Sequence, residues 1–161
     1  MLFRSKAETG AKLLDDWSTL QIAGETALLT HGDLLCTRDF KYQMFRAFVR
    51  NPDNQQKFLA SPIEERRRIA STTREGTQAS MMEKDDHIMD VDQSAVERQL
   101  LAHNATVLVH GHTHRPGTHV FELDGRSCRR HVLGDWYGTG TVLWVEGKDF
   151  RLLSVPDFLA A

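Results

Sequence analysis

The sequence predicts an α/β fold in which strand-rich regions at both ends of the chain enclose a helical segment. Three observations lead to this prediction. Short runs of β-branched and aromatic residues alternate with turn residues before residue 37 and after residue 105. Between these regions, apolar side chains recur at helical spacing. A length of 161 residues is also normal for one domain with a substantial core.

The first region, up to about Thr37, predicts a short helix and a β-hairpin. The helix covers residues 2–8 and is stopped by Gly10. The hairpin strands cover 19–23 and 26–30 and are joined by a turn that contains Gly24.

The middle region, residues 39–84, predicts a helical insertion between the strand-rich parts. Phe40, Met44 and Phe48 lie four residues apart, as on one face of a helix. Pro52 and Pro62 can each open a new helix. Residues 38–84 carry ten basic and six acidic residues, whereas the rest of the chain carries ten basic and sixteen acidic ones. This excess predicts contact with an anionic partner, and the alternative is a solvated helical face.

The last region predicts one helix followed by a series of strands. The helix covers 92–102, with Asp92 as its N-cap. A short apolar strand covers 106–109. Two hairpins follow, the first with strands 118–123 and 126–133 around Asp124-Gly125 and the second with strands 141–145 and 150–154 around Glu146-Gly147.

Composition excludes several classes of protein. The formal net charge of −2 gives no overall attraction to nucleic acid. Two cysteines make neither a disulfide framework nor a zinc knuckle, and they favour a reducing cytoplasm. No apolar run approaches the roughly 18 residues of a membrane span, and the N-terminus lacks the pattern of a signal peptide.

Histidines cluster where two of the predicted strands end. His31 follows the strand over 26–30, and the strand over 106–109 runs into His-Gly-His-Thr-His, residues 110–114. Ligands of α/β folds bind at strand ends, and neutral imidazole is the commonest nitrogen ligand of divalent transition metals. The two clusters therefore predict one metal site assembled from separate strands. The alternative is a set of hydrogen-bonded loop histidines.

The ordered motifs resemble a known family. The sequence GHTH, residues 111–114, resembles the last signature of the calcineurin-like metallophosphoesterases, and HGD, residues 31–33, resembles their preceding histidine block. The full order of HGDLLCT, YQMFR, IMDV and HGHTHRP is similar to the UDP-2,3-diacylglucosamine hydrolases of lipid A synthesis. The resemblance implies a four-layer αββα fold, a β-sandwich flanked by helices, with residues 39–84 as a helical lid.

The same resemblance implies a two-metal site, typically with Mn²⁺, that hydrolyses UDP-2,3-diacylglucosamine to UMP and 2,3-diacylglucosamine 1-phosphate. His31 and His112 would hold one ion and His114 the other. His112 would also contact the substrate and take part in catalysis. His110, which precedes the signature, would be a packed or outer residue.

Further substrate contacts are implied with residues of the middle region. Thr77 stands where the family usually has serine, and Met81 stands where asparagine is often found. The lid would hold the acyl chains and rest on a membrane. The resemblance thus implies a cytoplasmic protein peripheral to the inner membrane. We also expect a monomer. The implied substrate contacts in this region are Asp39, Arg74, Thr77, Met81 and Lys84.

One departure from the family pattern bears on activity. The family begins with Asp-x-His, Gly-Asp-x-x-Asp and Gly-Asn-Arg-Asp, and none of these precedes His31. We therefore expect residues 1–161 to match the C-terminal two-thirds of such an enzyme and to be nearly inactive alone, because bridging carboxylates would be missing. Two alternatives stay open. One is a phosphoesterase acting on nucleotides or phosphoproteins, and the other is a non-catalytic protein that kept the fold.

Overall fold

The computed structural model describes residues 8–82 and 90–161, with side chains described up to residue 76 in the first range. This part of the chain is a mixed α/β structure, which confirms the predicted class. The strands are β1 (Ser18–Ile22), β2 (Glu25–Leu29), β3 (Val107–His110), β4 (Gly117–Leu123), β5 (Arg126–Val132), β6 (Thr141–Glu146) and β7 (Asp149–Ser154). The helices are α1 (Phe40–Arg50), α2 (Pro52–Ala60), α3 (Ile63–Met82), α4 (Gln93–Ala102) and α5 (Val155–Ala160), and a 3₁₀ turn covers Asp33–Leu35.

Five strands form one mixed sheet in the order β1-β2-β3-β5-β4. The pairs β2–β3 and β3–β5 are parallel, whereas β1–β2 and β4–β5 are antiparallel. Strands β6 and β7 form a separate antiparallel hairpin. Because β2 and β3 are parallel neighbours, the loops that follow them leave the same edge of the sheet.

The core of the sheet lies on its central strands and on α4. Leu28 of β2 and Leu108 of β3 are fully buried, as are Val96 and Leu100 of α4. Each such side chain contributes about 1.5–3 kcal/mol through burial. Cys128 of β5 is buried as well, and burial raises the pKa of its thiol.

A polar cluster links the three central strands, β2, β3 and β5, at the end where β2 and β3 begin. Thr106, before β3, donates its hydroxyl hydrogen bond to Glu25 of β2 at 2.8 Å. Arg129 of β5 donates to the same carboxylate. Partial burial raises the pKa of Glu25, but the hydrogen bonds from Arg129 and Thr106 outweigh burial, so the pKa lies below its ordinary value. The cluster therefore fixes the parallel pairing with charge-assisted hydrogen bonds.

The β6–β7 hairpin packs on the large sheet through Phe150. The Phe150 ring stacks on His131 at 5.4 Å between centroids, and the Arg129 guanidinium lies 4.5 Å over the same ring. A cavity of about 480 Å³ lies beside this contact, and His110 and Gly111 are among its lining residues.

The chain divides into two compact units. One contains residues 1–33 and 93–161, and the other contains 34–92. The second unit includes α1, α2 and α3, so the predicted insertion over 39–84 lies within it. Asn51 ends α1 and caps α2, where its side chain accepts hydrogen bonds from Asp53 N and Asn54 N.

Most predicted elements are present within one or two residues of their expected bounds. The helix expected over 2–8 lies outside the described residues except at its last position. Helix α5 was not predicted. Ser154 is its N-cap and accepts a hydrogen bond from Asp157 N at 3.2 Å. No helix in residues 8–82 or 90–161 is long and apolar enough to cross a membrane.

Candidate metal centre

Two histidine loops meet at the edge where β2 and β3 end. Backbone hydrogen bonds continue the parallel pairing beyond the strands, from Thr30 N to Val109 O and from Gly111 N to His31 O, each 3.1 Å long. The rings of His31 and His112 lie 5.0 Å apart between centroids. The sheet thus brings together two histidines that lie 81 positions apart in the sequence.

Gly32 allows this close approach of the two loops. Its φ of 108° is in the region that favours glycine. A Cβ at this position would lie 2.8 Å from Nδ1 of His110 and 3.1 Å from the Gly111 carbonyl oxygen. The first loop can therefore pass over the second only because residue 32 has no side chain.

The second loop holds two histidines in an uncommon backbone conformation. His112 has φ of 65° and His114 has φ of 53°, and non-glycine residues seldom occupy this left-handed region. Thr113 N donates to the Gly111 carbonyl at 2.8 Å, which tightens the turn. Backbone strain of this kind costs about 1–3 kcal/mol per residue and clusters at functional sites.

Each of two candidate ligands lies beside a carboxylate. Nδ1 of His31 is 3.2 Å from Oδ1 of Asp33, which is almost fully buried. Nδ1 of His114 is 3.4 Å from Oδ2 of Asp135, in the loop after β5. Both imidazoles are more than half exposed. A metal ion could therefore reach their rings from solvent.

His110 is held differently. It is buried, and its Nε2 lies 3.2 Å from Nη1 of Arg130. Because a guanidinium only donates hydrogen bonds, Nε2 must be the acceptor, so Nδ1 carries the proton and donates to the Gly111 carbonyl at 2.9 Å. Neither ring nitrogen keeps a lone pair for a metal. The expectation that His110 is a packed residue agrees with this geometry.

The donor set fits part of a transition-metal site. Within the described residues there is no group of three or more His, Cys, Asp or Glu side chains close enough to hold an ion. The His31–His112 pair is close enough to contribute two imidazoles to one ion. The metal-binding roles of His31, His112 and His114 stay predictions.

Comparison with known proteins identifies relatives of the chain. No protein-family model matches it. A UDP-2,3-diacylglucosamine hydrolase of Marinobacter nauticus is 46% identical over 142 residues, 88% of this chain and 57% of that protein. The enzyme of the same name from Azotobacter vinelandii is 41% identical over 149 residues, 92% of this chain and 62% of that protein.

By sequence, the chain is a homologue of the UDP-2,3-diacylglucosamine hydrolases. The resemblance predicted from its motifs is thereby confirmed. A third relative of that name, from Chromohalobacter salexigens, is 46% identical over 130 residues, 81% of this chain and 53% of that protein. The chain therefore spans between half and two-thirds of the length of these relatives.

The substrate contacts implied by the UDP-2,3-diacylglucosamine hydrolase resemblance lie in the second unit. Asp39 is buried and caps α1, where its Oδ1 accepts a hydrogen bond from Tyr42 N at 3.1 Å. Arg74 is exposed on α3. Thr77 and Met81 also lie in α3, in the part after residue 76 where side chains are not described, and Lys84 lies outside the described residues. These substrate roles stay predictions.

The motifs in the sequence do not predict the carboxylates beside the two histidines. They place Asp33 only in the block of His31 and include no Asp135. Both follow a glycine in a loop directly after a strand of the large sheet. Such a Gly-Asp pair at a strand end is the local signal that could have indicated them.

Proposed function

We propose that this protein is a metal-dependent hydrolase that cleaves the diphosphate bond of UDP-2,3-diacylglucosamine to UMP and 2,3-diacylglucosamine 1-phosphate. The observation that carries the proposal is the meeting of His31 and His112, 5.0 Å apart at one sheet edge, in a chain homologous to enzymes of that name. Two imidazoles on loops that directly follow paired strands are the donor type that such a metal site needs.

The chain's own residues would bind and orient the metal. His31 and His112 would hold one ion, and His114, on the same loop as His112, would hold a second. Two Mn²⁺ ions, when bound, would activate a water molecule for attack and neutralise charge on the diphosphate. The strained backbone at His112 and His114 fixes where their rings leave the loop.

The second unit would bind the lipid part of the substrate. Side chains on α1 that would ordinarily be buried are exposed, with Phe40 at 74%, Met44 at 75% and Phe48 at 63%. Spaced four residues apart, they form one apolar face of a helix. We propose that this face, together with the basic side chains of the unit, binds acyl chains and the surface of an anionic membrane.

Substrate recognition is proposed for the residues that the resemblance assigns. Asp39 would face the glucosamine while it caps α1, and Arg74 and Lys84 would meet phosphate or head-group oxygens. Thr77 would supply a hydroxyl in place of serine. Met81 would supply no polar contact where asparagine is often found.

A chimera tests the proposed hydrolysis. The 142 aligned residues of the Marinobacter nauticus relative are replaced by those of this chain, and UMP release is measured with and without Mn²⁺. We expect Mn²⁺-dependent release that His112→Ala lowers by more than about 100-fold, because a metal ligand is lost. His119→Ala, at an exposed histidine on β4, is the matched control. Release that His112→Ala leaves unchanged would contradict the proposal.

The non-catalytic alternative has one observation in its favour. The described residues bring together a pair of histidines and no larger group of metal-binding side chains. A chimera that folds, binds Mn²⁺ and releases no UMP would favour this alternative. A chimera that hydrolyses nucleotides without an acyl chain equally well would favour a general phosphoesterase.

A further inference from the structure

His31 and His114, two of the candidate metal ligands, share one arrangement. In both, a carboxylate oxygen lies beside Nδ1 of the ring, at 3.2 Å for Asp33 and His31 and at 3.4 Å for Asp135 and His114. The two carboxylates come from different loops, one after β2 and one after β5. The same contact has thus been built twice from unrelated parts of the chain.

Each carboxylate is fixed by its own surroundings. Asp33 opens the 3₁₀ turn and is 3% exposed. Oδ1 of Asp135 accepts a hydrogen bond from Tyr137 N at 3.2 Å, which leaves Oδ2 facing His114. The Asp135 loop is itself held, because Gly134 N donates to the Thr141 hydroxyl at 2.6 Å. Both oxygens therefore stand in defined positions.

The chemistry of the contact determines which ring nitrogen carries the proton. A carboxylate at this distance attracts an N–H group and repels a lone pair, which favours the neutral imidazole that carries its proton on Nδ1. Nε2 then carries the lone pair. A carboxylate–histidine–metal arrangement of this kind fixes the tautomer and the orientation of a ligand and raises its basicity.

We propose that Asp33 and Asp135 are positioning residues, which hold His31 and His114 as Nδ1–H tautomers and so direct both Nε2 lone pairs to divalent ions. This inference rests on the proposed function and adds two residues to its site. It also separates His110 from the ligands, because the Nε2 atom of His110 is occupied by Arg130.

The tautomers can be observed directly, without metal and without activity. The ¹⁵N-labelled chain is studied at a pH of about 8, where imidazoles are neutral, by long-range ¹H–¹⁵N correlation of the histidine rings. We expect pyrrole-type Nδ1 signals for His31 and His114. Asp135→Ala should return His114 to the Nε2–H tautomer, whereas Asp135→Asn should not, because its amide oxygen still accepts. Asp149→Ala, at an exposed aspartate of β7, is the control.

Metal affinity gives the second readout. We expect Asp33→Ala and Asp135→Ala each to weaken Mn²⁺ binding, measured by calorimetry, by about 10-fold or more. Asp33→Asn keeps the size of the side chain and one oxygen at the buried position, so it serves if Asp33→Ala does not fold. Circular dichroism checks the fold of each variant. Unchanged tautomers, or full affinity in both alanine variants, would overturn the positioning role. Absence of Mn²⁺ binding by the unsubstituted chain would instead count against the proposed function.

Discussion

Arg130 reaches from β5 to the end of β3 and donates from Nη1 to Nε2 of His110 at 3.2 Å, with both side chains buried. The hydrogen bond sets the tautomer of His110, whose Nδ1 then donates to Gly111. Gly111 in turn donates from its backbone to the His31 carbonyl. A buried arginine thus supports both histidine loops through His110 and Gly111.

Replacing His110 by alanine should destabilise the fold. The substitution removes a buried ring and an acceptor for Arg130, so we expect a loss of about 2–4 kcal/mol in the free energy of unfolding. Urea unfolding followed by circular dichroism measures it. His119→Ala, at an exposed position on the neighbouring strand β4, should change stability by no more than about 0.5 kcal/mol. Equal losses of stability in the two variants would show that the buried hydrogen bond between Arg130 and His110 does not stabilise the fold.

Replacing Gly32 by alanine should separate the two histidine loops. The added Cβ would meet Nδ1 of His110 at 2.8 Å and the residue would keep a φ of 108°, so we expect a loss of about 1–3 kcal/mol. Gly138→Ala is the matched control, because a Cβ there meets nothing within 4 Å. The measurements are urea unfolding and the chemical shifts of the His31 and His112 rings. A Gly32→Ala chain with unchanged stability and shifts would contradict the close approach.

Much of the fold could be predicted because its signals are local. The turn at Asp124 and Gly125 has positive φ at both residues, 52° and 70°, which is what a tight hairpin requires and Asp-Gly supplies. Asn51 and Pro52 likewise mark a helix start by side-chain chemistry alone. Helix α5 has the same type of signal in Ser154 and Pro156, so its start could also be predicted from the sequence.

The candidate site was predictable only in part because its contacts are not local. The motifs indicated His31 and His112, but the parallel pairing of β2 with β3 joins segments about eighty residues apart and has no local signature. The contact between His114 and Asp135 depends on a loop after β5, which is β3's other parallel neighbour. The order of strands therefore had to be known before Asp135 could be assigned to His114.

Stability should fall on mild acidification because of His131. Burial, with help from the Arg129 charge, lowers the pKa of this histidine below its ordinary value of 6.5. On acidification the unfolded chain therefore binds a proton at this histidine before the folded chain does. The contribution of His131 to stability is full above about pH 6.5 and declines as the pH falls toward the folded-state pKa. Nε2 of His131 is also buried without a hydrogen-bond partner among the described residues.

Unfolding free energies measured between about pH 8 and pH 5 test this dependence. We expect His131→Gln to be less stable at high pH, because the stack on Phe150 is lost, but to show a shallower decline on acidification. His119→Gln should keep the steep decline of the unsubstituted chain. Parallel curves for the chain and for His131→Gln would show that another group titrates.

The apolar face of α1 should bind membranes. Replacing Phe40, Met44 and Phe48 by serine removes three exposed apolar side chains without touching the capping contacts of Asp39 and Asn51. We expect co-sedimentation with vesicles of phosphatidylglycerol and phosphatidylethanolamine to be lost, because interfacial binding scales with buried apolar area. Ala47→Ser, at an exposed uncharged position, is a control on the same helix. Undiminished sedimentation of the triple variant, with its helical content intact, would reject this face as the contact.

Manganese itself can show which histidines lie around it, since a paramagnetic ion broadens the signals of nuclei close to it. We expect low amounts of Mn²⁺ to broaden the ring signals of His31 and His112 first, because these rings are 5.0 Å apart. His103 should keep sharp signals, since its ring lies beside Trp17 and its Nδ1 is 2.9 Å from the Gln99 carbonyl. His112→Ala should abolish early broadening at His31, because one imidazole alone binds a divalent ion weakly. Broadening that begins elsewhere, or that persists at His31 in this variant, would place the ion away from the two loops.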